Sequence, residues 1–166
     1  MEKILDSGAR REFSTGAVRD IASGKGRCDL LPLGVVATVM NDFVLISIES
    51  FRQTGGSHHI IDAIRKFESA FRDLPDMMLE VSEHFEAGNN KYPPDADGTP
   101  NWQKGIPIHC YVDSGVRHYL KFKRGDDDER HDRAFIWNML CLVWTMINKP
   151  ELDDFTNKRE ACRDSH

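Results

Sequence analysis

The sequence lacks closely spaced cysteines and a long apolar run. Its four cysteines, Cys28, Cys110, Cys141 and Cys162, form no CxxC pair, which argues against a zinc knuckle and a dense disulfide framework. A membrane span needs about 18 consecutive apolar residues, and none occurs. The first eleven residues are too charged for a secretory signal. We therefore expect a cytoplasmic protein with reduced thiols, no membrane partner, and Cys141 packed in the core.

The chain also lacks an excess of positive charge. Its net charge is −5, and the acids concentrate at 126–129 and 151–154. A protein that binds the nucleic-acid backbone needs the opposite balance, so we expect no nucleic-acid partner. With 166 residues the chain fits one domain. We divide it into an irregular N-terminal arm (1–31), a helical domain (32–150) and a polar C-terminal tail (151–166).

Apolar periodicity predicts an all-α, single-domain bundle of about five helices. A long first helix follows Pro32, although β-branched residues leave a strand possible over 43–51. Ser57 is a candidate N-cap for the second helix, and the third covers about 76–87, ending near Gly88.

The second half of the chain alternates between an irregular segment and two further helices. Four prolines between 89 and 107 require a long loop, which contains Trp102. A helix over 108–123 follows. The acidic run 126–128 is predicted to open the last helix, which is apolar almost all round from Ala134 to Ile147.

Two sets of carboxylates recur at helical spacing. Glu80, Glu83 and Glu86 stand every third residue, and Glu129 and Asp132 have the same spacing on the last helix. If these helices pack together, the carboxylates can share one or two Mg²⁺ ions, which prefer oxygen ligands. His131 and Asn138 lie one heptad apart on that helix. The alternatives are solvated helix faces for the acids and a core role for Asn138.

Cationic and aromatic side chains occur in the segments between those carboxylates. Arg117, His118 and Lys121 stand on one predicted helix, where Arg and Lys donors could neutralise phosphoryl oxygens. The loop offers a stacking surface for a nucleobase through Lys91, Tyr92, Asn101, Trp102 and Lys104. The alternative for this helix is an exposed basic face, which explains Lys123 better than Arg117. A Trp that fastens a loop to the core explains Trp102 just as simply.

Several short motifs in order resemble the phage and bacterial dATP/dGTP diphosphohydrolases, relatives of the MazG-type all-α nucleoside triphosphate pyrophosphohydrolases. The motifs are Thr15–Asp20, Gly24–Pro32, Glu83–Gly88 with Lys91-Tyr92, Asn101-Trp102 with Lys104–Pro107, Arg117-His118, Arg124-Gly125, and His131 followed by Ala134, Trp137 and Asn138. Together they cover nearly everything from residue 14 to 145.

The resemblance implies hydrolysis of a purine deoxynucleoside triphosphate to the monophosphate and diphosphate, with Mg²⁺ or Mn²⁺ held by helix carboxylates. MazG relatives use an ExxE motif, matched by Glu80–Glu83 or Glu83–Glu86, and a later ExxD motif, matched by Glu129–Asp132. The resemblance also implies a dimer or tetramer, in the bacterial host cytoplasm if the protein is phage-encoded. The two motifs are separated by a wider gap than in typical MazG chains. The stretch 41–75 looks inserted relative to shorter members of the group.

The resulting prediction assigns catalysis to Glu80, Glu83 and Arg117. Substrate binding is assigned to Lys91, Tyr92, Asn101, Trp102, Lys104, His118, Lys121 and Asn138. The predicted metal ligands are Glu80, Glu83, Glu86, Glu129, His131 and Asp132. Two alternatives stay open: an HD-type triphosphohydrolase that uses His131-Asp132, and a non-catalytic helical scaffold. The N-terminal Arg19, Lys25 and Arg27 either reach a phosphate in a neighbouring subunit or belong to a disordered arm.

Overall fold

A computed structural model describes residues 8–21 and 25–155 of the chain. In these residues a two-stranded antiparallel hairpin, β1 (Arg10–Glu12) and β2 (Val18–Asp20), precedes six α-helices. The helices are α1 (Leu33–Met40), α2 (Phe43–Thr54), α3 (His58–Phe67), α4 (Leu74–Lys91), α5 (Ile108–Arg124) and α6 (His131–Asn148). The all-helical prediction is confirmed.

The core forms where α5 and α6 pack together, with α3 and α4 beside α6. Phe67 lies at its centre, and its ring centroid is 4.8 to 5.5 Å from those of Phe135, Phe122 and Tyr119. Gly115 allows α5 to approach α6 closely, because a Cβ there would stand 2.4 Å from Met139 Cε. Cys141 is fully buried in α6, as predicted. None of the helices among the described residues is long and apolar enough to cross a membrane.

Three sequence-based boundaries were wrong. The predicted first helix is two helices, because Asn41 adopts a left-handed conformation (φ 51°) and Asp42 caps a new start. The third predicted helix is longer and runs through Gly88 to Lys91. The acidic run 126–128 precedes α6, which begins at His131. Ser57 occupies the N-cap position of α3 but makes no side-chain cap hydrogen bond.

The ends of the chain also differ from expectation. The arm expected to be irregular contains the hairpin and a 3₁₀ turn at Cys28–Leu30. Phe155 is buried at the end of the described chain. The remaining predicted tail, 156–166, lies outside the described residues, as do 1–7 and 22–24.

The start of α5 is tied to the C-terminal segment by His109 and Asp154. The Asp154 carboxylate accepts the His109 backbone N–H at 3.0 Å and also contacts His109 Nδ1. The hydrogen bond to Asp154, assisted by Cys110, raises the pKa of His109 to about 10, against about 6.5 in an unfolded chain. At a pH between these two pKa values, His109 therefore keeps a proton in the folded state that it has lost in the unfolded state.

From this linkage we expect stability to fall with rising pH between about 6.5 and 10. Below the lower value the pair contributes fully, and its contribution is lost as pH rises through the folded pKa of about 10. Urea unfolding at several pH values measures the effect. Asp154→Asn should flatten the curve in this window, and a curve of unchanged steepness in the variant would rule the pair out as its cause.

Candidate active site

A cavity of about 1060 Å³ opens between the hairpin, α4, α5 and α6. This volume reaches the upper end of the range of about 300–1,000 Å³ for ligand pockets, so a nucleoside triphosphate has room. Seven Arg and Lys side chains line it against three carboxylates, although the whole chain is acidic. Such a cationic enclosure favours a polyanionic ligand. The cations are Arg11, Arg19, Lys25, Arg27, Lys91, Arg117 and Lys121.

Most predicted substrate-binding residues line this cavity. They are Lys91, Tyr92, Asn101, Trp102, His118, Lys121 and Asn138, joined by the predicted catalytic Arg117. Lys104 does not line it. Among the predicted metal ligands, Glu129 lines the cavity, whereas Glu80, Glu83, Glu86, His131 and Asp132 do not.

The predicted nucleotide-binding loop holds the N-terminal hairpin. The Asn101 side chain accepts the Val18 N–H at 2.8 Å and donates to the Val18 carbonyl at 2.9 Å. Lys91 Nζ and Tyr92 Oη donate to Asp20 at 3.0 and 2.8 Å. Burial and the contact with Asp20 raise the pKa of Tyr92. Because these contacts hold both ends of β2, the hairpin forms a wall of the cavity.

Two further contacts fix the turn of the hairpin. Thr15 Oγ1 donates to the Gly105 carbonyl at 2.6 Å, and Lys104 Nζ lies 3.4 Å from the Gly16 carbonyl and 2.6 Å from Asp95. Lys104 therefore supports the wall without lining the cavity.

Arg19 lines the cavity, although the sequence prediction assigned it either to a phosphate in a neighbouring subunit or to a disordered arm. Its guanidinium donates to Asn138 Oδ1 at 3.0 Å and to Ser114 Oγ at 3.4 Å, and lies 5.5 Å from the Trp137 ring centroid. Asn138 is 1% exposed and donates in turn to the Ala134 carbonyl, so its amide serves both the core and the cavity. The available signal was the resemblance over Thr15–Asp20, and the structure places Arg19 in the chain's own cavity.

Aromatic rings form another part of the cavity lining. Trp102 packs edge-on against Phe85 and Trp144, with ring centroids 5.3 and 5.2 Å apart. This packing fastens the loop to α4 and α6. Trp137 also lines the cavity, and its buried Nε1–H has no hydrogen-bond partner among the described residues. An unpaired buried donor is costly, and a bound ligand offers it an acceptor.

Arg117 joins the cavity wall to the segment after the hairpin. It contacts the Asp113 carboxylate and donates to the carbonyls of Lys25 and Gly26 at 3.1 and 3.2 Å. Asp113 Oδ1 also accepts the Cys28 N–H at 2.6 Å. Arg117 is thereby held in a fixed position on the cavity.

The predicted carboxylate cage is bridged by arginines. Arg130 donates to Glu80 at 2.6 Å and to Asp132 at 2.8 Å, and Arg133 donates to Glu80 at 3.0 Å and Glu83 at 2.5 Å. Burial alone would raise the pKa values of Glu80 and Asp132, but their arginine contacts lower both. The structure thus brings acids of α4 and α6 together, with two guanidinium groups between them. Glu86 is exposed farther along α4.

A different group of possible metal ligands lies where α5 meets α6. One ligand atom each from His118, Glu129 and His131 fall within 4.8 Å of one another. Burial, followed by the neighbouring histidines and arginines, lowers the pKa of His118, and burial raises the pKa of Glu129. A second group joins Asp126 and Asp128 to His131. Hydrogen bonds from His131 and Lys121 lower the pKa of Asp128 to about 2.

The fold and this cavity define a helical protein with a cationic, aromatic-lined pocket for a polyanion. A family model described as dATP/dGTP diphosphohydrolase, N-terminal, matches residues 56–155, more than half of the chain. The chain belongs to this family. No curated protein and no solved structure was found to match. The match includes α3 to α6 and excludes the hairpin with Arg19.

Proposed function

We propose that the chain hydrolyses a purine deoxynucleoside triphosphate, dGTP or dATP, to the monophosphate and diphosphate with the aid of a divalent ion. The observation that carries this proposal is the large cationic cavity on the family-matched helices. The family description supplies the substrate class and the bond that is broken.

The cations border the space that a triphosphate would fill, and Lys91, Arg117 and Lys121 each also contact a carboxylate. Arg117, Lys121 and Lys91 approach from α5 and α4, while Arg19, Lys25 and Arg27 come from the N-terminal segment. Guanidinium and ammonium groups neutralise phosphoryl oxygens and stabilise the leaving diphosphate. Trp137 and Trp102 provide apolar surface for the base and sugar, and the unpaired Trp137 N–H can donate to an acceptor on either.

Two of the predicted metal ligands, Glu129 and His131, fit a divalent ion beside this cavity. Glu129 is partly buried, and its carboxylate makes no hydrogen bond to any other described residue, so it is available. The arginine contacts of Glu80, Glu83 and Asp132 would have to be displaced before they bound a metal. A divalent ion, predicted to be Mg²⁺ or Mn²⁺, would lower the pKa of a bound water and screen the phosphates.

Within this proposal the chain's own groups perform the remaining work. The cavity cations place the triphosphate in line for attack at the α-phosphorus. The hairpin covers the bound nucleotide from one side and limits access of bulk water.

The predicted homo-oligomer, cytoplasmic location and absence of nucleic-acid partners stay predictions. The apolar side chains of Val35, Val39 and Phe43 are exposed on α1 and α2.

A turnover panel tests the proposed function. The purified chain is incubated with the four deoxynucleoside and four ribonucleoside triphosphates and a divalent ion, and the products are separated by anion exchange. We expect dGTP or dATP to be converted fastest, with equal amounts of monophosphate and diphosphate. Tripolyphosphate with free nucleoside would instead support the HD-type triphosphohydrolase, and no turnover of any nucleotide would support a scaffold.

A further inference from the structure

Two histidine rings meet between α5 and α6 at the edge of the cavity. His118 Nδ1 lies 3.0 Å from His131 Nδ1. His131 is 2% exposed, whereas His118 and Glu129 line the cavity. One ligand is therefore held rigidly in the core, and the other two border the space proposed for the triphosphate.

The second nitrogen of His131 is held by a carboxylate. His131 Nε2 lies 2.7 Å from Asp128 Oδ1. Because an ionised carboxylate can accept but not donate, Nε2 carries the hydrogen and Nδ1 presents a lone pair. Metal-binding histidines commonly have such a carboxylate partner, which fixes the ring and its tautomer.

The spacing of the two nitrogens is compatible with a shared metal ion. For a metal–nitrogen bond of about 2.1 Å, adjacent ligands lie about 3.0 Å apart in an octahedron and about 3.4 Å apart in a tetrahedron. The 3.0 Å between the His118 and His131 nitrogens is the length of the hydrogen bond that joins the two rings, and it equals the octahedral edge. With Glu129 as the third ligand, three positions stay open for water or phosphoryl oxygens.

We propose that His118, Glu129 and His131 bind one divalent first-row transition-metal ion with six-coordinate preference, such as Mn²⁺ or Co²⁺, more tightly than Mg²⁺. Imidazole nitrogens suit transition metals, whereas Mg²⁺ prefers a shell of oxygen atoms. The site itself stands on the geometry. Its role as the ion that assists hydrolysis rests on the proposed function.

Other groups of acids nearby fit an ion less well. Arg124 contacts Asp126, and Lys121 donates to Asp128 at 3.0 Å. Arg130 forms ion pairs with Glu80 and Asp132, and Arg133 forms one with Glu83. A cation would have to break these ion pairs. An ion held by Glu129 and the facing histidine nitrogens would break no ion pair and would replace only the hydrogen bond between the two rings.

Metal binding by the chelator-treated protein, without nucleotide, tests the site. Isothermal titration should give one Mn²⁺ per chain, at least about 10-fold tighter than Mg²⁺. His118→Ala and Glu129→Gln should each weaken Mn²⁺ binding at least about 10-fold. Glu83→Gln and Asp126→Asn are the matched controls and should leave the Mn²⁺ dissociation constant unchanged. Loss of binding in either control would move the site elsewhere and overturn the inference.

A spectrum of the unmutated protein adds a readout that does not depend on folding of a variant. Bound Co²⁺ should show the weak visible bands of six-coordinate cobalt, and the intense bands of four-coordinate cobalt would contradict the assigned geometry. Absence of Mn²⁺ and Co²⁺ binding overturns the site even if the enzyme is active. Metal binding without diphosphate release leaves the site standing and rejects the proposed function.

Discussion

Glu129→Gln should lower kcat/KM for the preferred purine deoxynucleoside triphosphate by about 100-fold or more. Glu129 is the one predicted metal ligand among the cavity-lining residues, and Gln keeps its shape while removing the charge. The loss should appear mainly in kcat, because the phosphate-binding cations are unchanged. Steady-state kinetics with diphosphate detection measures it.

The same substitution should not destabilise the fold. Burial raises the pKa of Glu129, so its charged form is costly in the folded state. It also makes no hydrogen bond to any described residue that Gln would break. We expect thermal unfolding at an unchanged or slightly higher temperature, as often occurs where a residue serves activity at some expense of stability.

Two comparisons make this prediction specific. Glu83→Gln removes the exposed partner of the buried Arg133, which keeps its ion pair with Glu80, and should lower kcat/KM by less than about 10-fold. Asp62→Asn, on the exposed face of α3 with Lys66 as partner, should leave the kinetics unchanged. If Glu83→Gln abolished turnover while Glu129→Gln kept it, the ion would belong with the arginine-bridged acids that the sequence pattern favoured.

Helical periodicity predicted the architecture well because it depends on local sequence. The apolar run of α6 and the loop around Trp102 were both identified correctly. The site depends on which side chains meet across helices, and spacing along one helix does not determine this. Glu80 and Glu83 have the spacing of a metal motif, but Arg130 and Arg133 stand opposite them. The sequence pattern does not show that those arginines contact these glutamates.

The residues around the cavity also make contacts that local sequence does not predict. Lys91, Tyr92 and Asn101 were expected to bind substrate, and they line the cavity; substrate binding by them stays a prediction. Their hydrogen bonds nevertheless go to the hairpin, which the sequence left as an irregular arm. Strands of three residues carry too short a pattern to be recognised. Their contacts, which are about 70 to 85 residues away in the chain, are not encoded locally.

The missed break between α1 and α2 leads to the largest expected effect on stability. Asp42 is 5% exposed, and its carboxylate caps α2 by accepting the N–H groups of Val44 and Leu45 at 3.0 and 3.1 Å. It also accepts the Tyr119 hydroxyl from α5 at 2.5 Å. Asp42→Ala should lower the free energy of unfolding by about 3 kcal/mol, since it removes a helix cap and leaves buried donors unpaired.

Thermal unfolding would then shift downward by about 6–12 °C for a chain of this size. Asp73→Ala is the matched control, because Asp73 caps α4 by accepting one backbone N–H, that of Asp76, and its loss should cost about 1 kcal/mol. A double-mutant cycle with Tyr119→Phe should give a coupling of about 1 kcal/mol between the two side chains. Equal losses in the two cap variants, with no coupling, would mean that Asp42 acts as a local cap and does not join α2 to α5.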